Sequence, residues 1–250
     1  MAPPAADRVQ LCGGIVIERD GQRWEARLPG RQGRLLFAYL AVNRHRTCSR
    51  DELTEALWGE HVPAAGDVGL NAVLSKLRRA LGPDVVQGRT SLRLVLSPDA
   101  WVDVEVAEKA VHKAESRVAL HDWTHAWGPS LAALFISERV FLPDDDTEWI
   151  EERRDRLRDI RLRALEAYTA AALGTGGTEL TAAVRVGRRL VREAPLRENG
   201  YQLLMRALAA QGNVAEALLV HAGLCRLLRD ELGASPSQAT RAVHESLLRS

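Results

Sequence analysis

Residues 67–81 read DVGLNAVLSKLRRAL, and the reading of this one stretch decides the fold. At 100° per residue Leu70, Leu74, Leu77 and Leu81 fall within a narrow arc, the apolar stripe of a helix laid on a core. The opposite arc carries Val68, Ala72, Ser75, Lys76 and Arg79, with Asn71 and Arg78 on its flanks. Small residues on that face permit close approach, and the cations beside them reach guanine O6/N7 or phosphate oxygens in a DNA major groove. Taken alone, the pattern also describes an ordinary surface helix with solvated cations. Its neighbours decide between the two.

Upstream, residues 9–28 are strand-like: Val9 and Leu11 alternate with polar residues, Ile15-Val16-Ile17 is β-branched, and Asp20-Gly21 marks a hairpin turn. After Pro29-Gly30 the period becomes helical, with Leu35, Leu36, Tyr39 and Leu40 on one face, and a loop follows at Asn43–Cys48. Ser49 with Glu52 three residues on forms a capping box that opens a helix over 50–58. Pro63 and Gly66 break the chain, and Asp67 caps the third helix, which ends at Gly82-Pro83. Val85–Leu96 is β-rich and interrupted by Gly88-Arg89-Thr90-Ser91, a second hairpin. Strands, three helices and a hairpin, in that order, are the layout of a winged helix-turn-helix domain. That position favours a recognition helix at 67–81. Arg89 then sits at the wing tip, where an arginine can enter a narrow minor groove, and Arg93 lies further along the wing. Arg31 and Arg34, at the start of the first helix, are candidate phosphate contacts beside its backbone amides.

From about Asp103 the strand signal disappears. Helical patterns run over 103–119, 121–134, 146–173, 179–194, 197–210, 213–230 and 236–248. Breaks fall at Gly128-Pro129, at the run starting with Pro143, at Gly174–Gly177, Pro195, Gly212 and Gly233–Pro236. Ala183 and Ala217 recur at 34 residues, and Tyr168 and Tyr201 at 33. That period suggests tetratricopeptide-like stacking, in which small residues let paired helices approach closely. The expected architecture is therefore mainly α: a winged helix-turn-helix domain over 1–100, then an all-α, tetratricopeptide-like domain over 101–250.

The formal net charge of the 250 residues is only +1, from 34 Lys+Arg and 33 Asp+Glu. Residues 1–100 carry 14 cations against 11 acids, a net of +3, and residues 101–250 carry 20 against 22, a net of −2. The total thus conceals a basic surplus in the segment that would meet DNA. A composition of 46% hydrophobic and 27% charged residues is that of a folded globular chain, neither disordered nor fibrous. The longest central stretch without charged residues, 123–137, is too short to span a bilayer. The opening MAPPAAD lacks the pattern of a signal peptide, and Cys12, Cys48 and Cys225 form neither Cys-x-x-Cys nor a disulfide framework. These features point to the cytoplasm, with no membrane partner.

The ordered motifs resemble a known family. GRLLFAYLAVNRHRTCSRDELTEALWG over 33–59 and NAVLSKLRRALG over 71–82 are similar to the OmpR-type winged helix of the Streptomyces antibiotic regulatory protein (SARP) family. Trp101-Val-Asp-Val-Glu, WIEERRDRL over 149–157, EAPLRE over 193–198, Glu216-Ala-Leu and LRDELGASP over 228–236 resemble its bacterial transcriptional activation domain. The resemblance covers nearly the whole chain. It implies a transcriptional activator that binds repeated promoter sites near the −35 region of double-stranded DNA and recruits RNA polymerase through its sigma factor. It places Ser75, Lys76 and Arg79 where that fold meets bases and phosphates, Arg78 at the family's Leu-Arg position, and Trp58 in its Leu-Trp-Gly motif near the backbone. It also implies a nucleoid-associated protein acting on secondary-metabolite genes, as a homodimer or as tandem protomers. Where the family's wing ends in Gly-Tyr-x-Leu, this chain has Ser91-Leu92-Arg93-Leu94.

Other chemistry finds little footing. His121 and His125 stand four apart, but no matched carboxylate or Cys follows, so no metal site is expected. Gly174-Thr-Gly-Gly177 follows a helix and lacks the lysine of a phosphate loop, which reads as an inter-helix turn. Asp144–Asp146 read as a solvated turn, and the arginines between 153 and 163, interleaved with acids, as a mostly solvated helix face. No Ser-His-Asp, HExxH or nucleophile-elbow pattern occurs, so neither enzyme activity nor a cofactor is expected. Two other functions fit the same chain: a helical-repeat adaptor, and a regulator gated by a ligand in a cavity near Trp123, Trp127 and Trp149.

Overall fold

The computed structural model describes residues 6–59 and 66–249; Pro63 lies outside the described residues. The N-terminal strands β1 (Arg8–Gln10), β2 (Val16–Arg19) and β3 (Gln22–Arg23) form an antiparallel meander. Asp20 and Gly21 both take positive φ, 50° and 72°, the turn whose twist matches that of the flanking strands. Three helices follow: α1 (Gly30–Val42), α2 (Arg50–Trp58) and α3 (Gly66–Leu81). A two-residue strand β4 (Cys48–Ser49) precedes α2, and β5 (Val86–Gln87) and β6 (Ser91–Leu94) follow α3. These three strands make a second antiparallel sheet, ordered β4-β6-β5, with Cys48 opposite Leu92 and Val86 opposite Leu94.

The local causes are those of the sequence. Ser49 Oγ accepts the Glu52 N–H at 3.1 Å while a Glu52 carboxylate oxygen accepts the Ser49 N–H, a complete capping box at the start of α2. Helix α3 starts one residue before Asp67, so Asp67 belongs to its first turn instead of capping it. In α3 the leucine stripe is 0–3% exposed, whereas Val68 on the far side is 68% exposed. Leu35, Leu36, Phe37 and Leu40 of α1 and Leu53 and Leu57 of α2 are buried with it.

A further strand, β7 (Trp101–Val102), pairs parallel with β1 and completes a four-stranded sheet ordered β3-β2-β1-β7. Asp103 behind it is buried and accepts the N–H groups of Leu11 and Cys12 at 2.9 and 2.8 Å, and that of Val104. Burial raises its carboxyl pKa, and those three donors partly offset the rise.

Compactness divides the chain into two units, residues 1–106 with 136–157, and residues 107–135 with 158–250. Helices α4 (Asp103–Ala119), α5 (Trp123–Ser137) and α6 (Glu148–Thr175) each contribute to both. In the first unit, residues 136–157 pack as an accessory to the winged helix. Phe141 bridges to Cys12, and Trp149 meets Tyr39 and Phe141 edge-on while its indole N–H donates to the Ala56 carbonyl. Trp149 therefore packs on Tyr39 of the winged helix and lines a hollow there with Glu52 and Ala56. Arg154 donates to the carbonyls of Phe141, Leu142 and Asp145, so this arginine staples a loop where a solvated face was expected. Asp145 likewise departs from the expected solvated turn: it is buried and paired with Arg31.

The second unit is entirely helical, adding α7 (Leu180–Glu193), α8 (Glu198–Ala210), α9 (Val214–Leu232) and α10 (Gln238–Leu248). Consecutive helices pack in pairs, α7 on α8 and α8 on α9. Ala183 and Ala217, the 34-residue repeat, are fully buried there, and Tyr168 and Tyr201 are nearly so. Two expected breaks are absorbed. Helix α5 runs through Pro129, which forgoes one backbone donor, and α6 continues through Gly174 to Thr175. Gly174 has a packing reason, since a Cβ there would lie 2.3 Å from the Trp123 ring. Among the described residues no helix is long and apolar enough to cross a membrane.

Candidate nucleic-acid interface

The candidate surface is the face of α3 opposite its leucines, together with the β5–β6 hairpin. Ala72, Ser75, Lys76 and Arg79 are all exposed there. Among the described residues Lys76 and Arg79 have no carboxylate partner. They are long donors on a face whose other residues are small, which is the arrangement for base-edge and phosphate contact.

The flanking positions serve geometry. Arg78 donates through Nε to the Val86 carbonyl at 3.0 Å and through Nη2 to the Gly88 carbonyl at 2.7 Å, so it ties α3 to the wing. Asn71 accepts from Arg50 Nη2 at 2.8 Å. Trp58, half-buried, packs so close to α3 that a Cβ at Gly69 would approach its ring to 3.3 Å. Arg50 escaped the sequence reading. It reaches Asp67 Oδ1 at 3.3 Å, Asn71 Oδ1 at 2.8 Å and the Arg89 carbonyl at 3.2 Å. One guanidinium at the start of α2 thereby fixes the beginning of α3 and the wing tip together. Nothing in spacing announces it, because its acceptors lie 17, 21 and 39 residues away.

The wing turns at Gly88, whose φ is +99° and where a Cβ would fall 1.8 Å from the Ser91 carbonyl oxygen, so only glycine fits. Arg89 is exposed beyond it, and Arg93 is exposed with Nη2 donating to Gln87 at 3.2 Å. Leu92 and Leu94 are buried, so the replaced family pattern still anchors the hairpin through its alternate residues. At the start of α1, Arg31 gives its Nε to buried Asp145 at 2.6 Å and is otherwise about half exposed, and Arg34 is half-buried.

In the first turn of α2, Tyr39 donates to Glu52 at 2.6 Å and Arg46 closes on the same carboxylate. Arg46 holds the Glu52 carboxyl down at about 2 against the opposing effect of burial, with Tyr39 adding to it. Burial, then Glu52, pushes the Tyr39 phenol up to about 12. Of the histidines, His125 bonds Asp122 at 2.7 Å and His121 stacks edge-on with Trp123. Among the described residues no group of three or more His, Cys, Asp or Glu is placed to hold a metal.

A leucine-anchored helix with outward cations, braced to a β-hairpin and preceded by a strand meander, defines a winged helix-turn-helix protein, here joined to a tetratricopeptide-like helical unit. Residues 102–248 match the Bacterial transcriptional activator domain family. The chain belongs to that family, as a SARP-type regulator. It is 31% identical over 247 residues to Regulatory protein AfsR of Streptomyces coelicolor, covering 96% of this chain and 24% of that one. It is 28% identical over 260 residues to Transcriptional regulatory protein EmbR of Mycobacterium tuberculosis, covering 96% and 62%. The solved structure of Mycobacterium tuberculosis EmbR in complex with a low affinity phosphopeptide superposes with a TM-score of 0.84 at 24% identity, over 99% of this chain and 66% of that one. The chain thus spans about a quarter of AfsR and under two thirds of EmbR.

Proposed function

We propose that this chain is a sequence-specific DNA-binding transcriptional activator. Helix α3 enters the major groove: Ser75, Lys76 and Arg79 meet bases and phosphates, Ala72 allows close approach, and Asn71 reads through its amide donors. Arg78 and Trp58 hold the helix at the backbone. Arg89 and Arg93 present the wing to the minor groove, and Arg31 and Arg34 contact phosphates at the start of α1. Residues 1–100 carry the DNA function and residues 101–250 the activation function. The latter recruits RNA polymerase, including its sigma factor, at repeated promoter sites near −35, in the cytoplasm at the nucleoid and at secondary-metabolite genes. A module of net +3 binds weakly at physiological salt, so occupancy depends on a homodimer or tandem protomers on adjacent sites.

The observation that carries this reading is the exposed pair Lys76 and Arg79, without a carboxylate partner among the described residues, on the helix whose other side is the leucine core. The test is binding of the full chain to promoter fragments from its own host at several salt concentrations, with Lys76→Ala and Arg79→Ala alongside. Each variant is expected to weaken binding and reduce the salt slope by about one. Unchanged affinity and slope in both would remove α3 from the interface.

A further inference from the structure

The helical unit holds a hollow of about 490 Å³, within the range of about 300–1,000 Å³ typical of small-molecule sites. Trp123 forms one wall, seated on the bare backbone of Gly174. Val118, Ala170 and Leu203 continue the apolar surface. Two carboxylates border it, and both are already committed. Glu115 takes two nitrogens of Arg163 at 2.6 Å each, and Glu166 takes two of Arg197 at 2.9 and 3.0 Å.

Arg206 lines the same hollow, is exposed, and has no partner among the described residues. Asn199, two turns earlier on α8, also lines it, and its side-chain amide has no partner among the described residues. With the neighbouring acids neutralised in place, the lining is an apolar wall with the His121 imidazole edge-on to Trp123, an amide donor, and Arg206 as its one cation without a carboxylate among the described residues.

We propose that this hollow binds a small apolar organic anion, its flat body against Trp123 and its carboxylate or sulfonate on Arg206, with Asn199 as a second donor. A planar guanidinium presents parallel N–H groups that match a carboxylate, and the adjoining apolar wall shields that contact from water. A neutral ligand of the same body leaves the charge uncompensated, and a cation is repelled. The site is independent of the DNA-binding reading, since every residue in it belongs to the helical unit.

The test uses the full chain and two dyes that share an aromatic body: anionic 8-anilinonaphthalene-1-sulfonate and neutral N-phenyl-1-naphthylamine. Fluorescence titration is expected to show one saturable site that prefers the anion about tenfold, as one charge-assisted contact implies. Arg206→Gln, an exposed substitution, should lower anion affinity about tenfold and leave the neutral dye unchanged. Ala170→Leu, which fills the hollow, should weaken both dyes at native circular dichroism. Equal binding of the two dyes by the natural chain would overturn the proposal, as would an Arg206→Gln protein that keeps the preference for the anion.

Discussion

Helix α3 and the helical unit are both rich in cations, and they use them in opposite ways. On α3, Lys76 and Arg79 stand exposed with no carboxylate in reach among the described residues. In the helical unit, Arg163, Arg188 and Arg197 each close on an acid of another helix, Glu115, Glu216 and Glu166. Counting charge by segment, +3 against −2, barely separates the two regions. Pairing separates Lys76 and Arg79 from these three arginines. An arginine already neutralised by a carboxylate releases no counterions when it meets a phosphate, whereas an unpaired one does. The sharpest way to break this contrast is to remove the two cations of α3 and, separately, a paired one of the helical unit. The double variant Lys76→Ala with Arg79→Ala is expected to lose about 100-fold in promoter affinity near 0.1 M salt and about two units of salt slope. Arg188→Ala should stay within about twofold of the natural chain. Comparable losses in both, measured by fluorescence anisotropy, would mean that pairing does not mark the interface.

Between these extremes stand cations that brace one element against another. Arg78 is occupied by two wing carbonyls, and Arg50 by the Asp67 carboxylate, the Asn71 amide and the Arg89 carbonyl. Their contribution is geometric, because recognition fails when a reading helix shifts relative to the wing that brackets it. Arg50→Met is therefore expected to weaken promoter binding about five- to tenfold while changing urea-unfolding stability by about 1 kcal/mol or less. Arg50→Lys should restore little, since one ammonium cannot span three acceptors on two elements. Full rescue by lysine would return Arg50 to the class of simple phosphate contacts.

The paired side of the contrast makes a smaller prediction. Arg163 and Glu115 are about a quarter and two fifths exposed, so solvent screens much of their attraction. Glu115→Gln should cost about 0.5–1 kcal/mol in denaturant unfolding, and the cost should shrink in 1 M salt. A loss that ignores salt would show packing, not charge, at that contact.

How much of this was legible in the sequence follows the range of the interactions. The leucine stripe of α3, the Ser49–Glu52 box and the Asp20-Gly21 turn are set by residues within a few positions, and each stands where spacing put it. The 34-residue period placed Ala183 and Ala217 correctly at buried helix contacts. What escaped depends on distant partners. Asp144–Asp146 look alike in sequence, but Asp145 is buried because Arg31 reaches it from 114 residues away. Gly174 reads as a turn residue until Trp123, 51 positions earlier, is found against it. In the same way Arg50 is unremarkable beside its own neighbours and central only once α2, α3 and the wing assemble.

The smallest expected effect concerns a cation that is paired inside the winged helix itself, where the contrast between the two regions should blur. Arg46 holds Glu52 with its pKa lowered to about 2, and Tyr39 donates to the same carboxylate. An unfolded glutamate titrates near 4.3. Because the folded value lies below the unfolded one, the interaction stabilises the protein fully above about pH 4.3. That contribution is lost as the pH falls from there through about 2. Arg46 is half exposed, so screening reduces the effect below what the shift alone suggests. Glu52→Gln should therefore destabilise by about 0.5–1 kcal/mol at pH 7, including part of the capping box, and the difference should narrow below pH 4. Promoter affinity should not change, because this pair lies among the cations already neutralised. A Glu52→Gln protein with altered DNA binding at unchanged stability would show that pairing within the winged helix also tunes the reading surface.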